Sequence, residues 1–182
     1  MERALLLVDI QNDYFPGGAM ELQAMQAAAD NAARLLEAFR TRNELIIHVQ
    51  HISKRAGAGF FLPGTKGAEI HHSVAPLAGE PLITKYFPNS FRETGLADIL
   101  SGRGVRQLFI CGAMTHMCID STARAAFDLG YRCTVAGDAC ATRELSFKGE
   151  TISAPQVHGA FLAALGSVFA EILPAADLIG KL

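Results

Sequence analysis

Apolar residues occur along this chain in two patterns: short uninterrupted runs, and longer stretches in which they recur every three or four residues. The short runs predict six β-strands, at 4–9, 45–50, 81–85, 107–112, 131–137 and 168–173. The helical spacing predicts four α-helices, at 21–42, 94–100, 116–129 and 155–165. Runs without polar alternation are typical of strands buried on both faces. Strands that alternate with helices therefore predict a parallel sheet with helices packed on both sides.

The length and charge of the chain limit what it can be. It has 182 residues with no linker or internal repeat, so we expect a single domain over 1–182. The formal net charge is −2 and there is no basic block, which argues against a nucleic-acid partner. Only 19% of the residues are charged, against roughly 25% in an ordinary soluble domain. A sheet buried on both faces accounts for part of this apolar excess, and a subunit interface is expected to account for the rest.

The cysteines and the first apolar run indicate the cellular location of the protein. None of the four cysteines forms a Cys-x-x-Cys pair, and the chain is not a short secreted scaffold, so we expect reduced thiols and a cytoplasmic location. The first apolar run stops at Asp9, which makes it too short for a signal sequence or a membrane span. We therefore expect no membrane partner.

Three reactive side chains lie at the predicted carboxyl ends of strands. Asp9 closes the first strand, Lys85 closes the third, and Cys118 opens the helix after the fourth. Ligands of parallel sheets bind at this edge, so an acid, an ammonium group and a thiol are expected to meet there. A buried carboxylate and a buried ammonium each need an opposite charge, and beside a thiol they fit an activated nucleophile with its base. Taken singly, each residue also has a purely structural interpretation.

Cys118 is the most specific of the three candidates. With Thr115 as the cap of the helix, Cys118 is its third residue, where unsatisfied N–H groups favour a thiolate and can hold an oxyanion. The alternative is that Cys118 is a small buried apolar residue, as cysteine commonly is. Cys111, Cys133 and Cys140 are interpreted in that second way, because they lie in apolar strands or in a turn.

Four motifs, in order along the chain, resemble those of the isochorismatase-like cysteine hydrolases. They are Asp9-Ile-Gln-Asn-Asp13, Phe61-x-Pro-Gly-Thr-x-Gly67, Lys85-x4-Ser-Phe-x2-Thr94 and Gly112-x2-Thr-x2-Cys118. This superfamily includes nicotinamidases, N-carbamoylsarcosine amidases and ureidoacrylate amidases, and the resemblance covers nearly the whole chain. It implies a three-layer α/β/α fold with a six-stranded parallel sheet of order 3-2-1-4-5-6. It also implies a homo-oligomer, as is common among family members.

The resemblance implies roles for particular residues. Asp9, Lys85 and Cys118 would form a catalytic triad, and the backbone N–H groups of Met114 and Cys118 would form an oxyanion hole. The peptide bond between Ala113 and Met114 would be cis. Family members that hydrolyse the vinyl ether of isochorismate typically lack the cysteine. Its presence here favours cleavage of an amide, carbamoyl or ureido C–N bond through a thioester, without a cofactor.

Two alternatives to this function stay open at the level of sequence. The first is vinyl-ether hydrolysis of the isochorismatase type, in which the acid acts alone. The second is a catalytically silent, oligomeric binding protein that keeps the fold. An intact triad argues against the second, since each of the three residues occupies its motif position.

A metal site is conceivable and is not expected. Nicotinamidases of the superfamily bind zinc through an Asp-x-His after the second strand and a later histidine. The corresponding residues here are His51 and Ser53, so a site would combine His51 with His71 or His72. Because this set departs from the family's pattern, we expect no metal. The same departure argues against nicotinamide as the substrate.

Several residues are expected to line the substrate pocket by analogy with the family. They are Phe15, Gln50, Tyr86, Phe87, Phe91, Thr115 and His116. Core packing is the alternative for the aromatic ones. The loop from Lys54 to Gly67 carries Phe60, Phe61 and Leu62 between glycines, which fits either a lid or a subunit contact.

Overall fold

One parallel sheet organises the computed structural model, which describes residues 2–182. The strands are β1 (Arg3–Val8), β2 (Leu45–His51), β3 (Leu82–Lys85), β4 (Gln107–Ala113), β5 (Arg132–Ala141), β6 (Leu145–Phe147), β7 (Glu150–Ile152) and β8 (Glu171–Leu173). The main sheet has the order β3-β2-β1-β4-β5-β8, and each neighbouring pair is parallel. Counted along the main sheet alone, this is the 3-2-1-4-5-6 order, so the predicted fold is confirmed.

Helices cover both faces of the sheet. They are α1 (Met25–Thr41), α2 (Leu96–Gly102), α3 (Asp120–Asp128), α4 (Ala154–Val168) and α5 (Ala175–Gly180). Strand β1 contributes to both apolar cores, since Leu5 and Leu7 belong to one and Leu6 and Val8 belong to the other. Burial on both faces therefore accounts for the uninterrupted apolar run of β1. Within residues 2–182, no helix has both the length and the hydropathy needed to cross a membrane.

Helix α1 begins at Met25, four residues later than the predicted start at Glu21. The reason is a local pairing, because Gln23 forms an isolated antiparallel bridge with Thr142. The chain enters the helix only after Ala24, which has a φ of 60°. Residues 21–24 therefore follow the apolar spacing of a helix although their backbone is not helical.

Other differences lie near the carboxyl terminus of the chain. Strand β5 continues past residue 137, because a shift in register lets its last residues pair with Gly112 and Ala113 of β4. Helix α4 continues to Val168, so β8 begins at Glu171 instead of residue 168. The antiparallel hairpin of β6 and β7 and the short helix α5 were not predicted. Segments this short contain too few apolar positions to display a period.

Candidate active site

Asp9, Lys85 and Cys118 meet at the carboxyl edge of the sheet. Asp9 follows β1, Lys85 is the last residue of β3, and Cys118 lies in a helical turn after β4. Nζ of Lys85 is 2.7 Å from Oδ2 of Asp9 and 3.1 Å from Sγ of Cys118. Both charged side chains are completely buried, and Cys118 is only 5% exposed. An acid, an ammonium group and a thiol thus share one desolvated site, where charges interact more strongly than in water.

His51 is a fourth member of this site. Its Nδ1 lies 2.9 Å from Nζ of Lys85, and polar atoms of Asp9, His51 and Cys118 all lie within 4.8 Å of one another. From the sequence, His51 was expected only as a possible metal ligand. The signal that identifies it is its position at the end of β2, which lies between β1 and β3 in the sheet.

The motif that follows β1 fixes the backbone around the site. The side-chain amide of Gln11 binds both the N–H (2.8 Å) and the carbonyl (2.9 Å) of His51. Oδ2 of Asp13 accepts a hydrogen bond from the N–H of Phe61 (2.6 Å), which ties the loop after β2 to the same turn. Asp9 itself has a φ of 53°, a left-handed conformation that is uncommon outside glycine and recurs at functional sites.

A close contact between β1 and β4 brings the acid and the thiol together. Gly112 has a φ of 126°, and a Cβ at this position would lie 1.9 Å from the carbonyl oxygen of Val8. Only glycine fits there. Val8 precedes Asp9 in the chain, and Gly112 leads into the turn that carries Cys118. The next peptide bond, between Ala113 and Met114, is cis, as the family resemblance implies.

Cys118 lies in a π-helical turn, Thr115–Ile119, and not in the first turn of an α-helix. The N–H of Ile119 donates to the carbonyl of Met114 at 3.2 Å, a spacing of five residues. Met114 is therefore the cap of this turn and Thr115 its first residue. The predicted role of Thr115 as the cap is wrong by one position.

Burial and the neighbouring charges act on the pKa of the Cys118 thiol. Burial raises the pKa of the Cys118 thiol, and the Asp9 carboxylate raises it further, while the Lys85 ammonium offsets only part of this rise. The expectation that a helix start makes Cys118 a thiolate is therefore wrong. Burial works against the ammonium form of Lys85, but its ion pair with Asp9 favours that form, and the pKa of Lys85 is raised.

The other three cysteines occupy different surroundings, although all four are free and buried. Cys111 lies within β4, and Cys133 and Cys140 lie within β5. Burial raises the pKa of Cys133 to about 12 and that of Cys140 to about 12. Their positions match their interpretation as core residues, and none of them lines the cavity that borders Cys118.

A cavity of about 530 Å³ borders Cys118. Its apolar and aromatic lining consists of Tyr14, Ala58, Phe60, Phe61, Tyr86, Phe87, Pro88, Met114 and Met117. Its polar lining consists of His51, Ser53, Lys54, Arg55 and Glu93, in addition to Cys118. Tyr86 and Phe87 were expected there, and the loop from Lys54 to Gly67 forms one wall. Met114 and Cys118 were expected at the site in other roles. Tyr14, Ser53, Pro88, Glu93 and Met117 were missed, because which side chains of a loop turn inward depends on tertiary packing.

Three residues that were expected in the pocket lie elsewhere. Phe15 is buried and stacks on His71, with ring centroids 3.6 Å apart. Gln50 donates its side-chain amide to the carbonyl of Ala68 at 2.8 Å. Phe91 packs against the apolar core on one face of the sheet. Each side chain is occupied by a structural contact and does not line the cavity.

Thr115 and His116 also do not line the cavity. Oγ1 of Thr115 donates to the carbonyl of Ala141 (3.2 Å) and lies 2.9 Å from Nδ1 of His158. Nδ1 of His116 lies 2.6 Å from Oγ1 of Thr142. These contacts anchor the π-helical turn to the end of β5, to the residue that follows it and to α4. The two residues therefore support the turn that carries Cys118 and do not contact the cavity themselves.

The donor atoms of Asp9, His51 and Cys118 are of the types that zinc prefers, but their surroundings do not fit a metal ion. Nζ of Lys85 already contacts all three side chains, at 2.7, 2.9 and 3.1 Å. A metal cation would have to lie beside this buried ammonium. Nδ1 of His71 instead hydrogen-bonds a hydroxyl group within its own turn, at 2.8 Å.

Comparisons with known proteins agree with this geometry. A family model described as the isochorismatase domain matches residues 3–176. The chain is 50% identical over 172 residues to the isochorismatase family protein YddQ of Bacillus subtilis (strain 168), covering 94% of this chain and 96% of that protein. It is 31% identical over 175 residues to the nicotinamidase of Escherichia coli (strain K12), covering 76% and 82%. A crystal structure from Oleispira antarctica, assigned to the isochorismatase hydrolases, is 48% identical with a TM-score of 0.95, covering 98% of this chain and 96% of that chain.

The sheet order and the buried polar group at its carboxyl edge define a three-layer α/β protein with an enclosed reactive site. The family model spans nearly the whole chain, and both curated relatives are at least 30% identical to it over the aligned residues. The chain therefore belongs to the isochorismatase family of hydrolases.

Proposed function

We propose that this protein is a cysteine-dependent amidohydrolase that cleaves the C–N bond of a small amide, carbamoyl or ureido substrate. The observation that carries the proposal is the placement of Sγ of Cys118 3.1 Å from the ammonium of a buried Lys85–Asp9 ion pair, at the border of a mainly apolar cavity. A nucleophile with an adjacent acid–base group in a desolvated pocket is the arrangement that acyl transfer requires. The similarity to a nicotinamidase supports amide chemistry.

The proposed reaction begins with the neutral thiol. When a substrate fills the cavity, Asp9 accepts the thiol proton, and Sγ of Cys118 attacks the carbonyl carbon. The developing oxyanion is bound by the backbone N–H groups of Met114 and Cys118, both of which belong to residues that line the cavity. Asp9 returns the proton to the departing nitrogen as the C–N bond breaks. The products of this half-reaction are an amine and a thioester.

Water completes the cycle. Asp9 accepts a proton from a water molecule, whose oxygen attacks the thioester carbon, and the proton then passes to the leaving sulfur of Cys118. The carboxylic acid is released and the thiol is restored. Lys85 stays charged throughout and stabilises whichever of its two neighbours, carboxylate or thiolate, is anionic. Because Lys85 contacts both Asp9 and Cys118, the negative charge can pass from one to the other and stay paired with the ammonium.

The raised pKa of Cys118 agrees with this order of events. A thiol that ionises only when a proton acceptor and a substrate are both present does not react with other electrophiles between turnovers. The buried Asp9 supplies the acceptor, since its Oδ1 has no hydrogen-bond partner within residues 2–182.

The test is a turnover screen with a matched pair of variants. Small primary amides, carbamoyl compounds and ureido compounds are assayed against vinyl ethers of the isochorismate type, with wild type, Cys118→Ala and Cys140→Ala. We expect the wild type to hydrolyse members of the C–N group. Cys118→Ala should lose about 10³-fold or more in kcat/KM, as removal of a catalytic nucleophile commonly does. Cys140→Ala makes the same chemical change at a buried cysteine away from the cavity and should keep the activity.

The thioester supplies a second measurement. Intact-mass spectrometry after rapid acid quench should show an acyl adduct at Cys118 during turnover. Undiminished hydrolysis by Cys118→Ala would contradict the mechanism, and hydrolysis of vinyl ethers alone would replace the proposed function with the acid-only alternative. The homo-oligomeric state and the cytoplasmic location expected from the sequence stay predictions.

A further inference from the structure

His51 is fixed in place from two directions. Its backbone N–H and carbonyl both bind the amide of Gln11, at 2.8 and 2.9 Å, and Gln11 also donates to the carbonyl of Ala68 at 2.7 Å. Its ring nitrogen Nδ1 lies 2.9 Å from Nζ of Lys85. A side chain held in this way loses little conformational freedom when a ligand binds, which is what a binding group requires.

The contact with Lys85 determines which ring nitrogen of His51 carries the proton. An ammonium group has hydrogen-bond donors and no acceptor, so Lys85 donates and Nδ1 accepts. The proton of the neutral ring is therefore on Nε2. Burial, together with the charge of Lys85, lowers the pKa of His51, which agrees with a neutral ring.

The Nε2–H group of His51 is an unused donor beside the cavity. The ring lines the cavity, and Nε2 has no hydrogen-bond partner within residues 2–182. The neighbouring wall carries two cations, Lys54 and Arg55, whereas Glu93 is the acidic residue of the lining. Nζ of Lys54 lies 3.3 Å from the ring centroid of Tyr86, so this charge is held against the cavity wall. A fixed N–H donor and an excess of positive charge favour an anionic acceptor.

We infer that His51 is a substrate-binding residue whose Nε2–H binds a carboxylate carried by the amide substrate. The inference rests on the proposed function and narrows its substrate class to short amides that also carry a carboxylate. We expect the substrate to be short, because His51 and Cys118 both contact Nζ of Lys85, at 2.9 and 3.1 Å, and both line the cavity. The carboxylate therefore lies only a few bonds from the scissile carbonyl.

Two substitutions distinguish the contributions of the two ring nitrogens of His51. In His51→Asn, the side-chain carbonyl can replace Nδ1 as the acceptor for Lys85, but the Nε2–H donor is lost. In His51→Gln, the side-chain NH₂ can occupy the position of Nε2 and restore the donor. His48→Asn is the matched control, because it changes the other histidine of β2, which does not line the cavity.

Succinamate and butyramide are the substrate probes, since they differ only in a terminal carboxylate against a methyl group. We expect the wild type to favour succinamate. His51→Asn should lower kcat/KM for succinamate about 10- to 100-fold more than for butyramide, chiefly through KM, as loss of a hydrogen bond to a charged group predicts. His51→Gln should recover most of the loss, and His48→Asn should leave the preference as it is. Equal losses on both substrates in His51→Asn would overturn the inference.

Nuclear magnetic resonance of ¹⁵N-histidine-labelled protein gives a readout without turnover. The His51 signals, assigned by their absence in His51→Asn, should show a protonated Nε2 and an unprotonated Nδ1, and titration with succinate should shift the Nε2 signal. A proton on Nδ1, or no shift with succinate, would overturn the inference even if amides are hydrolysed. A succinate-dependent shift in a protein that hydrolyses no C–N substrate would support the binding role of His51 and contradict the proposed function.

Discussion

Strand β2 carries two histidines three residues apart, and each belongs to a group of charged side chains at a different end of β3. His48 lies beside the start of β3, where Nε2 is 2.8 Å from Oε2 of Glu80. Arg40 binds the same carboxylate at 2.7 and 2.8 Å. His51 pairs with Lys85, the last residue of β3, in the group that contains Asp9 and Cys118. Both groups combine a neutral imidazole, a carboxylate and a cation.

The two groups differ in how completely their carboxylates are paired. Both oxygens of Glu80 accept hydrogen bonds, from Arg40, from His48 and from the N–H of Leu77. The Asp9 carboxylate has Lys85 as its ion-pair partner, and Oδ1 accepts no hydrogen bond within residues 2–182. The Nε2–H of His48 is likewise used by Glu80, whereas that of His51 faces no partner.

The comparison separates a stabilising ion cluster from a reactive one. Both oxygens of the Glu80 carboxylate are used, and the atom of this group that has no partner, Nδ1 of His48, is buried and does not line the cavity beside Cys118, so we expect the Glu80 group to contribute to stability alone. The Asp9 group keeps an unpaired carboxylate oxygen, an unpaired N–H and a thiol next to a cavity, so it can exchange protons and bind substrate. Residue types alone do not distinguish the two groups. The pairing of the two carboxylates does.

Removal of the cation from each group should give the largest contrast. Lys85→Met leaves the completely buried Asp9 carboxylate without an opposite charge, so we expect a loss of about 3–5 kcal/mol in the free energy of unfolding. Turnover should fall about 10²-fold or more, because the site loses its only direct charge stabilisation. Arg40→Met makes the same change at the partly exposed group and should cost less than about 2 kcal/mol without loss of turnover.

Urea unfolding and amide kinetics on the two variants measure this contrast. A Lys85→Met protein with wild-type kcat/KM would show that the ammonium serves folding only. An Arg40→Met protein as unstable as Lys85→Met would show that the difference in burial between the groups has no energetic consequence.

Asp9→Asn should separate ionisation of the thiol from turnover. The substitution removes the acid that protonates the leaving nitrogen, so kcat/KM should fall about 10²- to 10⁴-fold. The Asp9 charge raises the pKa of Cys118 while Lys85 lowers it, so its removal should lower that pKa. Alkylation of Cys118 by iodoacetamide at pH 7 should therefore become faster in Asp9→Asn than in the wild type.

Peptide mapping by mass spectrometry locates the adduct, and Cys111, Cys133 and Cys140 serve as internal controls in the same protein. Slower alkylation in the variant, together with lost turnover, would mean that Asp9 activates the thiol in the resting enzyme. Faster alkylation together with lost turnover is the expected result, because Asp9 raises the pKa of the resting thiol and is also needed for the proton transfers of turnover.

The sequence predicted the features of this protein that depend on strand ends. Parallel strands place their carboxyl ends at one edge, so Asp9, Lys85 and Cys118 could be expected to lie close together once the apolar runs were recognised. The sheet order followed from the family motifs, and the close approach at Gly112 belongs to one of them. These features follow from the order of elements along the chain and need no knowledge of how individual loops pack.

Features that depend on side-chain packing in loops were not predictable in the same way. Phe15 and Phe61 are both aromatic residues in loops near the site, yet Phe15 stacks on a histidine outside the cavity and Phe61 lines it. The proposed binding role of His51 was not predicted, because it depends on the position of β2 between β1 and β3 and not on the metal-ligand pattern of relatives. The π-helical turn around Cys118 arises from a five-residue hydrogen bond that no apolar period records.

The smallest expected effect is on stability at the Glu80 group, and it depends on pH. Hydrogen bonds from Arg40 lower the pKa of Glu80 from 4.5 to about 2, with further contributions from the N–H of Leu77 and from His48. A carboxylate whose pKa is lower in the folded state stabilises the protein at pH values above its unfolded pKa. This contribution is lost as the pH falls from about 4.5 towards 2. Because the group is partly exposed, we expect it to amount to about 1–2 kcal/mol at neutral pH.

Glu80→Gln should therefore be less stable than the wild type at pH 7 by about 1–2 kcal/mol, with the difference shrinking towards zero near pH 2. Glu150→Gln is the control, since Glu150 is exposed in β7 and makes no ion pair within residues 2–182. Urea unfolding from pH 2 to pH 7 measures both differences. A Glu80→Gln deficit that did not change with pH would assign the loss to packing, whereas a loss of turnover at pH 7 would show that the two groups on β2 are coupled. Unchanged turnover together with a deficit that disappears in acid is the result expected if only the group around Lys85 carries chemistry.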